Sequence, residues 1–102
     1  MSKLLIKPEY LLMLRSIFDS YCPNAEIWAY GSRVGGDAHE GSDLDLTIIT
    51  FGNKECSLFE LKEILDESNI PFLVDISEFY NLPESFQAEI KRNYIVIYPV
   101  TK

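Results

Sequence analysis

The sequence predicts a domain of the α/β (α+β) class, a mixed β-sheet of about four strands with helices packed on it. Three observations lead there. Short apolar runs rich in aromatic and β-branched residues, IWAY, LDLTII, FLVDI and YIVIY, read as strands. Stretches between them repeat apolar residues at spacings of three and four, the period of a helix. Pro and Gly punctuate the joints, and the connectors are short. With 102 residues, 47% of them apolar, there is material for an ordinary core and no room for a separate substrate domain, so residues 1–102 are expected to form one domain.

Pro8 to Tyr21 is expected to be a helix. Tyr10, Leu11, Leu14, Ile17, Phe18 and Tyr21 make one apolar stripe, Pro8 suits a first turn and Pro23 stops the run. Glu26 to Tyr30 follows as a strand that delivers the chain to Gly31. Arg33 to Ala38 is expected to form a single short helical turn or helix, which Gly35 and Gly36 weaken by about 1 kcal/mol each. Ser42 to Phe51 reads as the second strand, with Asp43, Asp45 and Thr47 on one face and Leu44, Leu46 and Ile48 on the other. Ser57-x-x-Glu60 is a capping box that opens a helix with Leu58, Leu61, Ile64 and Leu65 inward, ended by Ile70-Pro71. Phe72 to Ile76 is the third strand. Asn81-x-x-Glu84 reads as a second helix start, for a helix to Asn93 with Phe86 and Ile90 inward, and Tyr94 to Tyr98 is the last strand before Pro99.

The charge balance of −7 opposes a nucleic-acid partner, whose affinity comes mainly from neutralised phosphates. Cys22 and Cys56 lack metal-ligand spacing, no stretch is long and apolar enough to span a bilayer, and nothing resembles a signal peptide, so free thiols in a reducing cytoplasm are expected. His39 is the one histidine, lies in a polar connector and receives no role.

The chemistry concentrates in YGSRVGGDAHEGSDLDLTII, from Tyr30 to Ile49. Gly31 lets backbone approach an anion without a Cβ in the way, and Ser32 adds a hydroxyl donor. Asp43 and Asp45, two apart on a strand, point off one face as hard oxygen ligands suited to Mg²⁺ already carried partly by phosphates. Carboxylates in a strand that leads into Ile48-Ile49 break local propensity, as functional sites do. The plainer reading is a strand end whose carboxylates face water; the preceding Gly-Ser tips the balance to a metal. Asp75 is a further charge in an apolar strand, and burying it would require a metal or a cation such as Arg33. For Arg33 itself, a phosphate and a carboxylate are equally good partners.

Gly31-Ser32-Arg33, then Gly36, then Ser42-Asp43-Leu44-Asp45-Leu46 resemble the signature of the minimal nucleotidyltransferase domain, the small branch of the polymerase-beta-like nucleotidyltransferases. The likeness extends over nearly the whole chain and implies that family's two-layer fold. It implies transfer of a nucleoside monophosphate, most simply AMP from ATP, with one or two Mg²⁺. Gly31, Ser32, Arg33 and Ser42 would hold the nucleotide, and Asp43, Asp45 and Asp75 would be the catalytic, metal-holding carboxylates. Such domains typically accompany a small helical HEPN protein, often a toxic ribonuclease, so a HEPN-type toxin is the implied partner and an antitoxin the implied role. Two other readings compete: a binding-only antitoxin with a vestigial site, and a transferase acting on an RNA end or a small molecule. A homo-oligomer is compatible with all three.

Overall fold

The computed structural model describes residues 4–35, 43–52 and 55–99. The elements run α1 (Pro8–Tyr21), β1 (Glu26–Tyr30), α2 (Ser32–Gly35), β2 (Leu44–Thr50), α3 (Leu58–Asp66), β3 (Val74–Glu78), a 3₁₀ turn (Phe79–Asn81), α4 (Glu84–Arg92) and β4 (Ile95–Tyr98). The strands form one sheet in the order β3-β2-β1-β4. β1 pairs antiparallel with both β2 and β4, whereas β2 and β3 are parallel. The sheet is therefore mixed, and the fold is the α+β arrangement expected.

Alternation divides the sheet into two faces. Ile27, Ala29, Leu44, Leu46, Ile48 and Ile76 share one core with Leu14 and Phe18 of α1 and Leu61 and Leu65 of α3. Burying a side chain such as Phe18 in full stabilises by about 1.5–3 kcal/mol. Helix α1 is fastened to the β4 edge by Arg15 Nε, which donates to Ile97 O at 3.0 Å, and by the Tyr98 hydroxyl, which donates to Asp19. Burial and the Asp19 carboxylate push that phenol up to about 12.

The opposite face carries a smaller aromatic layer. Trp28 stacks on Tyr94 with centroids 3.9 Å apart and leans on Phe79 at 5.5 Å, while Tyr30 meets Phe86 of α4 edge to face at 5.7 Å. Among the described residues this layer covers only part of the face: Tyr30 and Asp45 are half-buried and Asp75 is exposed.

The capping box at α3 forms with a change of partner. Glu60 N–H donates to Ser57 Oγ at 3.1 Å, but Ser57 N–H donates to the Tyr21 hydroxyl at 2.8 Å, and that hydroxyl donates to Glu60 Oε1 at 2.9 Å. A residue of α1 thus completes the cap of α3 and joins the two helices on the core face. The expected helix start at Asn81 is not used. Leu82 precedes Pro83 and is extended, with ψ of 154°, because proline disfavours helical backbone in the residue before it. Asn81 donates instead to Glu78 Oε2, and α4 begins at Glu84. The third strand lies two residues later than expected, since its parallel ladder with β2 runs on to Ile48↔Glu78.

Candidate active site

The central relation is one of register. In the parallel β2–β3 ladder Asp45 lies opposite Asp75, and two residues on Thr47 lies opposite Ser77. Neighbouring strands are about 4.8 Å apart, so opposed residues send their side chains side by side off the same face. Asp75 is exposed at the sheet edge, which corrects the expectation of a charge buried in an apolar strand: as β3 is an edge strand, no cation is needed to make its burial tolerable. Asp43, just before β2, is also exposed.

Asp45 is half-buried, and its carboxyl is held above the usual carboxylate range, first by burial, then by the charges of Asp75 and Asp43. All three carboxylates therefore act on one small region. Beneath it, fully buried Thr47 donates from Oγ1 to Ser77 O at 3.3 Å and fixes the two strands in register. Tyr30 pairs with Asp45 across β1 and β2. Its phenol is pushed up by burial and by Asp45 and Asp75, against a hydrogen bond with the Ser77 side chain that pulls it down.

Gly31 follows at once, with a φ of +85° that side chains rarely allow. A Cβ there would overlap Asp45 Oδ2 and lie 3.2 Å from its Cγ. The close approach that the sequence assigned to a ligand anion is already made, within the chain, by the Asp45 carboxylate. Ser32 opens α2 and is half-buried. Arg33 donates from Nη1 to Leu5 O at 2.8 Å and lays its guanidinium over the Phe72 ring at 4.4 Å. Those contacts tie α2 to the segment before α1 and to the connector between α3 and β3. Ser42, Gly36 and His39 lie outside the described residues.

A cleft of about 380 Å³ opens beside Asp45, walled by Tyr30, Gly31 and Asp45 on the sheet side and by Phe86, Glu89, Ile90 and Asn93 on the other. Ser32 and Arg33 are not among its walls. The second wall had no place in the sequence reading beyond core packing, though its signal was present: Phe86, Glu89, Ile90 and Asn93 fall at three, four and seven residues, one face of a helix.

Two hard oxygen donors side by side, a third close by and a cleft leading away suit a cation that keeps much of its shell on phosphate and water. Among the described residues no three His, Cys, Asp or Glu side chains group tightly enough to hold a metal by themselves. The donor set fits Mg²⁺ brought with a polyphosphate better than an all-protein metal cage.

The family model for polymerase beta nucleotidyltransferases matches residues 13–101. The chain belongs to this family. As a polymerase beta nucleotidyltransferase it is 38% identical over 93 residues to a protein of Haemophilus influenzae (strain ATCC 51907 / DSM 11121 / KW20 / Rd) named "Probable protein adenylyltransferase MntA". That match covers 90% of this chain and 82% of the relative. A solved structure described as the "Crystal structure of the toxin-antitoxin with AMP-PNP" superposes with a TM-score of 0.68 at 16% identity, over 93% of this chain and 76% of that one. At that identity the likeness speaks to the nucleotidyltransferase fold alone. No helix among the described residues is long and apolar enough to cross a membrane.

Proposed function

We propose that this nucleotidyltransferase moves AMP from ATP onto a hydroxyl side chain of a partner protein, a toxin of the HEPN type, and so acts as its antitoxin. The observation that carries the reading is the pairing of Asp45 with Asp75 on adjacent strands, beside a cleft that begins at Gly31. The relative named as a probable protein adenylyltransferase supports the choice of nucleotide and of acceptor class. The charge of −7 supports a protein acceptor over a nucleic acid.

In this reading Gly31 and Ser32 receive the triphosphate, with Ser42 and Arg33 as further nucleotide contacts drawn from the family resemblance. Asp43, Asp45 and Asp75 are the groups that would hold Mg²⁺. When bound, Mg²⁺ would neutralise charge on the attacked phosphoryl group and on the leaving pyrophosphate. The acceptor oxygen bonds to the α-phosphorus, the bond from that phosphorus to the oxygen bridging to the β-phosphate breaks, pyrophosphate leaves with that oxygen, and the hydroxyl proton passes to solvent. Asp75 is exposed at the sheet edge, where an incoming hydroxyl has access to its carboxylate. The chain's contribution is chiefly positioning and charge stabilisation.

Thermal unfolding tests the nucleotide reading. ATP together with Mg²⁺ is expected to raise Tm, by an amount equivalent to about 2.7 kcal/mol at a hundred times Kd, and either alone to do much less. An equal rise with ATP in the absence of metal would contradict carboxylate-held Mg²⁺.

A further inference from the structure

The cleft beside Asp45 has two chemically different ends. At one end stand Gly31 and the Asp45 carboxylate; the other is built by Phe86, Glu89 and Ile90 of α4 and by Asn93, which caps its C-terminus. A nucleoside and its phosphates are covalently joined, so a triphosphate bound at the first end puts the nucleoside within reach of the second. The volume of about 380 Å³ falls in the range of small-molecule sites. A macromolecular acceptor needs open surface, which the exposed Asp75 on the edge strand provides.

The side chains of α4 separate the candidate occupants further. Glu89 would repel a phosphate, whereas a neutral base or sugar meets a carboxylate as a hydrogen-bond acceptor. Phe86 stands edge to face against Tyr30 with interplanar angle 83°, yet 38% of the residue remains exposed. A partly exposed aromatic ring on a helix that otherwise buries Ile90 is a surface on which a flat ring can stack.

We propose that the face of α4 carrying Phe86 and Glu89 is the nucleoside wall of the site: the base stacks on Phe86, and Glu89 accepts an N–H from an exocyclic amino group. This rests on the nucleotide reading above and deepens it. Adenine offers such an amino group at its pairing edge, whereas uracil has a carbonyl oxygen in the corresponding place, which the carboxylate repels, and its one donor there is the ring N3–H between two carbonyls. The wall therefore favours ATP over UTP, and a residue distant in sequence from the Gly-Ser and Asp-x-Asp motifs sets the preference.

The test is calorimetric binding, with Mg²⁺ present, of three probes: a non-hydrolysable ATP analogue, the matching UTP analogue and inorganic tripolyphosphate. Phe86→Leu keeps apolar bulk but removes the ring, and its Tm reports whether the fold survives. Base–aromatic stacking of the usual strength predicts ATP-analogue affinity about five- to a hundredfold weaker in Phe86→Leu, with tripolyphosphate affinity as in the wild type. Glu89→Gln should narrow the preference for the ATP analogue over the UTP analogue. Wild-type affinity for the ATP analogue in a folded Phe86→Leu, or an ATP analogue that binds the native protein no more tightly than tripolyphosphate, overturns the inference while leaving the triphosphate site intact. If neither tripolyphosphate nor the ATP analogue binds the native protein, the nucleotide reading itself falls and this wall with it.

Discussion

Gly31 and Asp45 occupy the same space: the carboxylate of one fills the volume where a side chain on the other would begin. The pairing of Tyr30 with Asp45 across β1 and β2 brings them together, and the left-handed backbone at Gly31 turns the chain away just there. A motif glycine and a motif aspartate, fourteen positions apart, are thus a single packing unit.

Gly31→Ala should therefore damage fold and site together. The left-handed backbone costs a non-glycine residue about 1–2 kcal/mol, and forcing a methyl group against Asp45 adds about 1–3 kcal/mol. Gly52→Ala provides the comparison, because Gly52 also has positive φ, of +68°, and a Cβ there would crowd the Asn24 backbone, away from the cleft. Both variants should show lowered Tm, but folded Gly52→Ala should keep nucleotide binding that Gly31→Ala loses.

Asp45→Asn should stabilise the metal-free protein near neutral pH. The folded carboxyl sits above its ordinary range, so the fold disfavours the charged form. Stability is then fully present below the pKa of the unfolded chain and is lost as pH rises through the folded pKa. Removing the charge restores that loss, so the Tm gain of Asp45→Asn should be clear at pH 7 and disappear near pH 3. A variant less stable than wild type at pH 7 would mean that the Asp45 carboxylate is held by hydrogen bonds that favour its ionised form.

Thr47→Val removes one hydroxyl at nearly constant shape. Ser77 O loses its hydrogen bond in a site where Thr47 is fully buried, which should cost about 1 kcal/mol. For a chain of this size that lowers Tm by about 4–8 °C. Thermal unfolding of the variant checks it, and an unchanged Tm would show that the hydroxyl contributes nothing to the join between β2 and β3.

The parts legible from sequence were those fixed locally. Pro8 and Pro23 bracket α1, and the helix occupies Pro8–Tyr21 as its apolar stripe required. Strand β1 ends at Tyr30 because Gly31 leaves the extended region. Asp45 and Asp75 stood out as charges within apolar strands, but their adjacency depends on a parallel register between segments thirty residues apart, which no local pattern encodes. The same holds for Asp75's exposure, since nothing local says that β3 is an edge. The Asn81 pattern does not mark the start of α4 because Pro83 overrides that cap, and a local pattern does not reveal the helix as a cleft wall because one helix face looks alike whether it meets a core or a ligand. Arg33 is an intermediate case: its neighbours in the motif point to phosphate, while its guanidinium reaches back to Leu5 O and Phe72.

Intact-mass measurement of the proposed partner, a HEPN-type toxin co-expressed with this protein, tests the central claim most directly, comparing wild type with the Asp43→Ala/Asp45→Ala double variant. Catalysis by the paired carboxylates predicts partner mass increased by whole AMP units with the wild type and unmodified partner with the variant. The added phosphate would set negative charge where a ribonuclease must hold RNA phosphate, which is how modification would disable it. A partner that stays unmodified with the wild type, and is still neutralised by the double variant, would contradict the account and leave neutralisation by binding alone.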